Sequence, residues 1–122
     1  MPHLIVEYTA NLGDFPEAQL LADLNDAVIA SGQIAIEHDL KSRCVRSGSF
    51  VIGASAHQAE PRGFVHAELR LLSGRTPETK RDLSDRIAAV LRQHSPHPAG
   101  MLVQLSVDIV DMDRAAYSKD KL

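Results

Sequence analysis

The stretch Phe64-Val65-His66-Ala67-Glu68-Leu69-Arg70-Leu71-Leu72-Ser73-Gly74-Arg75-Thr76-Pro77-Glu78 encodes a strand, a turn and the start of a helix in direct succession. Val65, Ala67, Leu69 and Leu71 alternate with His66, Glu68, Arg70 and Leu72, the period of a strand with one apolar face. Ser73-Gly74-Arg75 is the turn. Thr76 can cap the following helix with its hydroxyl, and Pro77 stands at the first helical position, where its missing N–H costs nothing. Leu83, Ile87, Val90 and Leu91 then form an apolar stripe at helical spacing. Val103, Leu105, Val107 and Ile109 alternate again as a closing strand. This half of the chain therefore reads as β-α-β.

The same plan precedes it. Leu4, Val6 and Tyr8 fall on one face of a strand over residues 3–8, with His3, Ile5 and Glu7 on the other. Asn11-Leu12-Gly13-Asp14 is a turn, and Asp14 followed by Glu17 predicts a capping start for a helix. Leu20, Leu24, Ala27 and Val28 make its stripe, which ends at Ser31-Gly32; each lies 63 positions before its counterpart in the second stripe. Residues 43–52 predict another strand, broken by Ser47-Gly48-Ser49.

The expected architecture is thus one domain over residues 1–122, built from two βαβ units at about 1–62 and 63–122. Right-handed crossovers should join parallel strands within each unit. The fold class is α+β in two layers: a double β-α-β with one four-stranded mixed sheet and both helices on one face. The other face would mix His3, Ile5 and Glu7 with His66, Arg70 and Leu72, too polar for a core and in places too apolar for water. A subunit interface is the economical use of such a face.

Composition narrows the function. Net charge is −3 and there is no tryptophan or basic run, which disfavours a nucleic-acid partner. No signal-peptide pattern or membrane-length apolar run is present, so no membrane partner is expected. A single cysteine, Cys44, excludes an intrachain disulfide, and the cytoplasm is the simplest compartment.

The chain opens Met1-Pro2-His3-Leu4-Ile5-Val6-Glu7-Tyr8. Proline cannot donate to a strand ladder, so its place here suggests another task for its nitrogen. With Met1 cleaved, that nitrogen becomes a rigid secondary amine. An α-amino group has a pKa of about 7.7–8.0 in water, and burial lowers it toward the range of a general base working near neutral pH. Taken by position alone, Pro2 would simply begin an edge strand.

The opening Pro2–Tyr8 motif, the double βαβ plan, and Phe64-Val65-His66 through Gly74-Arg75-Thr76-Pro77-Glu78 together resemble the 5-carboxymethyl-2-hydroxymuconate isomerases of the tautomerase superfamily. The resemblance spans nearly the whole chain. It implies an amino-terminal proline base, a homotrimer of double-βαβ subunits, and no cofactor or metal. It also implies a dienol di- or tricarboxylate substrate from the homoprotocatechuate branch of bacterial 4-hydroxyphenylacetate catabolism. By this analogy Pro2 takes the proton of the 2-hydroxyl and delivers a proton to a carbon further along the conjugated chain, giving an unsaturated 2-oxo acid.

Such a substrate needs fixed positive charge, and guanidinium groups suit it because they bind carboxylates with two parallel hydrogen bonds. Arg75 matches the family's substrate-binding arginine in the turn before the second helix. Arg43 is the next candidate, from the family's Ser-Arg pair at Ser42-Arg43. Lys41 stands where relatives often carry another basic residue, usually arginine, and offers an ammonium in place of a two-point fork. Alternation puts Lys41 and Arg43 on one face of their strand and Arg46 on the other. Tyr117 follows Met112 by the spacing that, in the shorter tautomerases, places an aromatic wall beside the proline; the residues around it, Asp113 to Lys119, depart from the relatives' pattern.

Other residues have simpler expectations. His3, Glu7 and His66 belong to the predicted interface. His94 and His97 lack a third ligand nearby and make a poor metal site. Cys44 is most simply a small strand residue. Two alternatives share this framework: a tautomerase, or a hydrolytic relative, acting on another unsaturated acid, and a tautomerase-fold trimer that binds a ligand without turnover.

Overall fold

The computed structural model describes residues 1–122. Its elements are β1 (His3–Thr9), α1 (Glu17–Ala30), β2 (Lys41–Ser47), β3 (Arg62–Leu72), α2 (Pro77–His94) and β4 (Leu102–Met112). The four strands form one sheet in the order β2-β1-β3-β4. β1 runs parallel to β2 and β3 parallel to β4, so each helix crosses between parallel neighbours. The two units meet along the antiparallel pair β1–β3, with His3 opposite Arg70, Ile5 opposite Glu68 and Glu7 opposite His66. Shifting each partner by the 63-residue repeat returns the same set of pairs, so a pseudo-twofold axis passes through Ile5 and Glu68.

The repeated stripes form the core. Leu20, Leu24 and Val28 of α1 and their counterparts Leu83, Ile87 and Leu91 of α2 are all 0% exposed. They pack on Leu4, Val6 and Tyr8 of β1 and on Val65, Ala67, Leu69 and Leu71 of β3. Removing this much apolar surface from water is the main force holding helices to sheet.

The helix starts differ from one another. α2 begins as its sequence predicts, with the Thr79 amide donating to the Thr76 hydroxyl at 3.2 Å and Pro77 in the first turn. α1 does not use Asp14: Pro16 occupies the capping position without a side-chain cap bond, and Asp14 is exposed. The reason lies in Tyr8. Its ring stacks on Phe15 at 3.9 Å between centroids, and its hydroxyl donates to Glu17, the residue a capping box would have used. Burial first, and then Glu17, push the Tyr8 phenol up to about 12. Packing thus replaces the local cap.

The second strand also differs from expectation, starting at Lys41 and ending at Ser47. The long connection to β3 is closed by Arg62, whose Nη1 donates to the Ile52 carbonyl at 2.9 Å and whose Nη2 meets Glu60 at 2.7 Å. No helix is long and apolar enough to cross a membrane.

Candidate active site

Parallel pairing of β1 with β2 sets Lys41 beside His3 and Arg43 beside Ile5. Alternation turns these side chains to the helix-free face of the sheet. The Lys41 amide donates to the Pro2 carbonyl at 3.2 Å, which fixes the chain just before β1, and Pro2 is buried there. On the other flank, the chain leaving β4 turns sharply: the Tyr117 amide donates to the Asp113 carbonyl at 3.0 Å, and the Ala115 amide to the Asp113 side chain at 2.9 Å. This turn carries Tyr117 back to the amino end.

Three side chains then form a line. Arg43 Nη1 lies 3.3 Å from His3 Nδ1, and His3 Nε2 lies 3.0 Å from the Tyr117 hydroxyl. A guanidinium can only donate, so Nδ1 accepts and the imidazole proton resides on Nε2. Nε2–H in turn donates to the phenolic oxygen. The Tyr117 hydrogen is left to point at the Met1 carbonyl oxygen, 3.4 Å away and part of the amide on the Pro2 nitrogen. His3 is held in this neutral form because burial, then Arg43 and Lys41, lower its pKa below 6.5.

Two cavities meet at Tyr117. One, of about 530 Å³, is bordered by His3, Arg43, Arg70 and Met112. The other, of about 520 Å³, is bordered by Asp39, Lys41, Lys119 and Lys121. Cationic groups therefore flank the amino end on both sides. Burial, followed by Lys119, pulls the α-amine of Met1 below its usual 8.0; Asp39 opposes this, and Lys41 and Arg75 act in the same sense as Lys119.

The sequence candidates are not all used alike. Arg43, Lys41 and Tyr117 border these cavities. Arg75 borders neither: its Nη1 donates to the Leu72 carbonyl at 3.0 Å and its Nη2 to the Gln33 carbonyl at 3.1 Å, while Nε is buried without a partner. It reaches the amino end by charge, and it ties the turn before α2 to the loop after α1. Burial, then Arg114, lowers its pKa. Arg46 lies at the far end of β2, 3.5 Å from the Ala10 carbonyl.

The histidines divide similarly. His66 Nδ1 meets the Ser106 hydroxyl at 2.7 Å, the repeat counterpart of the His3–Arg43 contact. Val65 stands there in the place of Pro2, so the second unit has no equivalent amine. His94 pairs with Asp23 across the helices at 2.6 Å. No three His, Cys, Asp or Glu side chains converge to hold a metal ion. Burial raises the Cys44 thiol to about 11, which suits a packing residue and not a nucleophile. Sequence reasoning missed Asp39, Arg70 and Lys119, because the β1–β2 and β1–β3 registers and the turn after β4 bring them to the site from distant positions. The one sequence signal was the basic pair Lys119 and Lys121 directly behind Tyr117.

A double β-α-β chain forming one four-stranded sheet with two helices has the fold of the tautomerase superfamily. The comparisons with known proteins make the assignment specific. The family model of 5-carboxymethyl-2-hydroxymuconate isomerase matches residues 2–121, and the chain belongs to that family. A 5-carboxymethyl-2-hydroxymuconate isomerase from Deinococcus radiodurans R1 is similar at 30% identity and a TM-score of 0.87, over 99% of this chain and 90% of that one. A 5-carboxymethyl-2-hydroxymuconate delta-isomerase shares the fold at 24% identity and a TM-score of 0.81, over 100% and 88% of the two chains. A fused 4-OT solved as an asymmetric trimer shares it at 15% identity and a TM-score of 0.72, over 98% and 94%. Among curated proteins no match was found. The protein is an isomerase.

Proposed function

We propose that the protein, once Met1 is removed, isomerises 5-carboxymethyl-2-hydroxymuconate with the Pro2 amine as its base. The observation that carries this reading is the aim of the Tyr117 hydroxyl at the amide on the Pro2 nitrogen, through an oriented line from Arg43 and His3. In the processed chain the nitrogen lone pair replaces that amide. The lone pair takes the proton of the substrate's 2-hydroxyl, and the oxygen becomes the 2-oxo group as the double bonds shift. The resulting prolinium returns a proton to a carbon further along the chain, so atoms and charge balance within one molecule. This proton transfer calls for no redox partner.

In this reading Arg43 and Lys41 bind substrate carboxylates from the two sides of Tyr117. Tyr117 donates to an oxygen of the dienol or dienolate, and fixed positive charge stabilises the oxyanion as it forms. Arg75 contributes by setting the turn before α2 and adds positive charge behind the site. The two units act as one domain sharing one sheet. A homotrimer closing the helix-free face fits its mixed surface and the trimeric assembly of the fused 4-OT relative. A cytoplasmic place in aromatic-acid catabolism, the homoprotocatechuate branch, goes with this substrate.

The test is ultraviolet-monitored ketonisation of 5-carboxymethyl-2-hydroxymuconate by protein whose intact mass shows loss of Met1. Turnover is expected, lowered about 100-fold or more in Pro2→Ala, in the range of general-base contributions. Equal turnover in both proteins would exclude a need for the proline's secondary amine.

A further inference from the structure

Met1 marks the space next to the Pro2 nitrogen. Its carbonyl oxygen faces the Tyr117 hydroxyl at 3.4 Å, and its sulfur lies 2.8 Å from the Lys119 ammonium. When Met1 is absent, this volume lies open between the amine, Tyr117 and Lys119. The Lys119 ammonium is therefore the cation nearest the vacated space on the side away from Arg43.

Lys119 does not hang loose in solvent. Its ammonium is 3.7 Å from one oxygen of Asp39, and that of Lys121 is 3.7 Å from the other; the Asp39 side chain is only 12% exposed. The Lys41 ammonium donates to the Asp39 carbonyl at 2.8 Å. Two ammonium groups thus share the largely buried Asp39 carboxylate and a third sits on its backbone carbonyl, leaving positive charge over. His38 and Asp120 border the same cavity on its outer side, where Asp120 accepts from the Lys121 amide at 2.8 Å. A lysine so anchored can meet an anion while keeping one ion-pair partner.

We infer that Lys119, held by Asp39 on the far side of Tyr117 from Arg43, binds a second carboxylate of the substrate and so sets the preference for polycarboxylate dienols. This rests on the proposed reading of the site and deepens it. A substrate anionic at both ends would lie across Pro2, with Arg43 at one end and Lys119 at the other. Tyr117, shared by both cavities, marks the middle.

The experiment uses Met1-free full-length protein and two measurements: ketonisation kinetics with 5-carboxymethyl-2-hydroxymuconate, and calorimetric binding of tricarballylate, an inert tricarboxylate. Lys119→Ala should raise KM and the tricarballylate Kd about tenfold, with kcat within about twofold, the loss of one charge-assisted contact. Lys119→Arg should restore most of the affinity. Arg81→Ala, which removes an exposed charge on α2, should change neither and controls for net charge. Unchanged Kd in Lys119→Ala would overturn the assignment. Wild-type protein that binds tricarballylate with this Lys119 dependence but does not turn over the dienol would support the subsite and sink the proposed reaction. Wild-type protein that neither binds nor turns over would sink both.

Discussion

His3 Nε2 stands 3.0 Å from the phenolic oxygen of Tyr117, joining the head of β1 to the turn beyond β4 across 114 positions of chain. Because Arg43 can only donate to the other ring nitrogen, this contact fixes the imidazole tautomer and with it the direction of the Tyr117 hydroxyl. The proton of that hydroxyl is aimed where the base must work.

Tyr117→Phe should therefore cost about tenfold in kcat/KM, the scale of one lost hydrogen bond to a reacting oxygen. His3→Gln keeps a donor near Nε2 and should lose less than His3→Leu, which leaves Tyr117 free to rotate. Steady-state kinetics on the three variants check this order. Equal losses for Gln and Leu would remove His3 from the orientation of Tyr117.

Neutral His3 gives stability a definite pH dependence. Its native pKa lies below the ordinary 6.5, so below that pH the unfolded chain takes up a proton the native state resists. Its contribution is complete above about 6.5 and is lost as pH falls through the lowered native value. Thermal unfolding across pH 4 to 8 should show wild type losing more Tm on acidification than His3→Gln. Parallel curves would contradict the assignment of the neutral state.

Arg75 and Arg43 should separate in kinetics and stability. Arg75→Ala removes two bonds to backbone carbonyls and should destabilise the fold by about 1–3 kcal/mol, as for a buried hydrogen-bonded charge. Arg43→Ala breaks one side-chain contact, to His3, and should raise KM with a smaller loss of Tm than Arg75→Ala. Calorimetry and kinetics on both proteins decide it; a larger KM effect for Arg75 than for Arg43 would mean that Arg75 swings into the site with substrate bound.

Much of this was legible in the chain. The 63-residue repeat placed Leu20, Leu24 and Val28 against Leu83, Ile87 and Leu91 before any coordinates, because helical and strand periods are set by which face is buried. Thr76 and Pro77 marked the start of α2 for the same local reason. The start of α1 misled because Tyr8 recruits Glu17, a tertiary contact that overrides a local cap. At the site, Pro2, Arg43, Lys41 and Tyr117 could be singled out one at a time, but not the line that joins Arg43 to Tyr117 through His3. That line depends on the β1–β2 register and on the turn at Asp113. Asp39 carries no motif, and the basic pair Lys119 and Lys121 does not reveal its partner; only the return of the carboxyl-terminal segment sets Lys119 beside Asp39 and Met1.

In the proposed reaction the Pro2 nitrogen, as a free amine, is the base. Pro2→Ala leaves an amine behind, so the more direct measurement compares one protein in two states: Met1 retained, and Met1 removed by an aminopeptidase, each verified by intact mass. Retained Met1 ties the nitrogen into an amide without a basic lone pair and fills the space beside Tyr117 and Lys119. If Pro2 is the base, the processed form ketonises 5-carboxymethyl-2-hydroxymuconate rapidly and the unprocessed one only at the background rate, both folded with the same Tm within a few degrees. Equal rates in the two forms would contradict it.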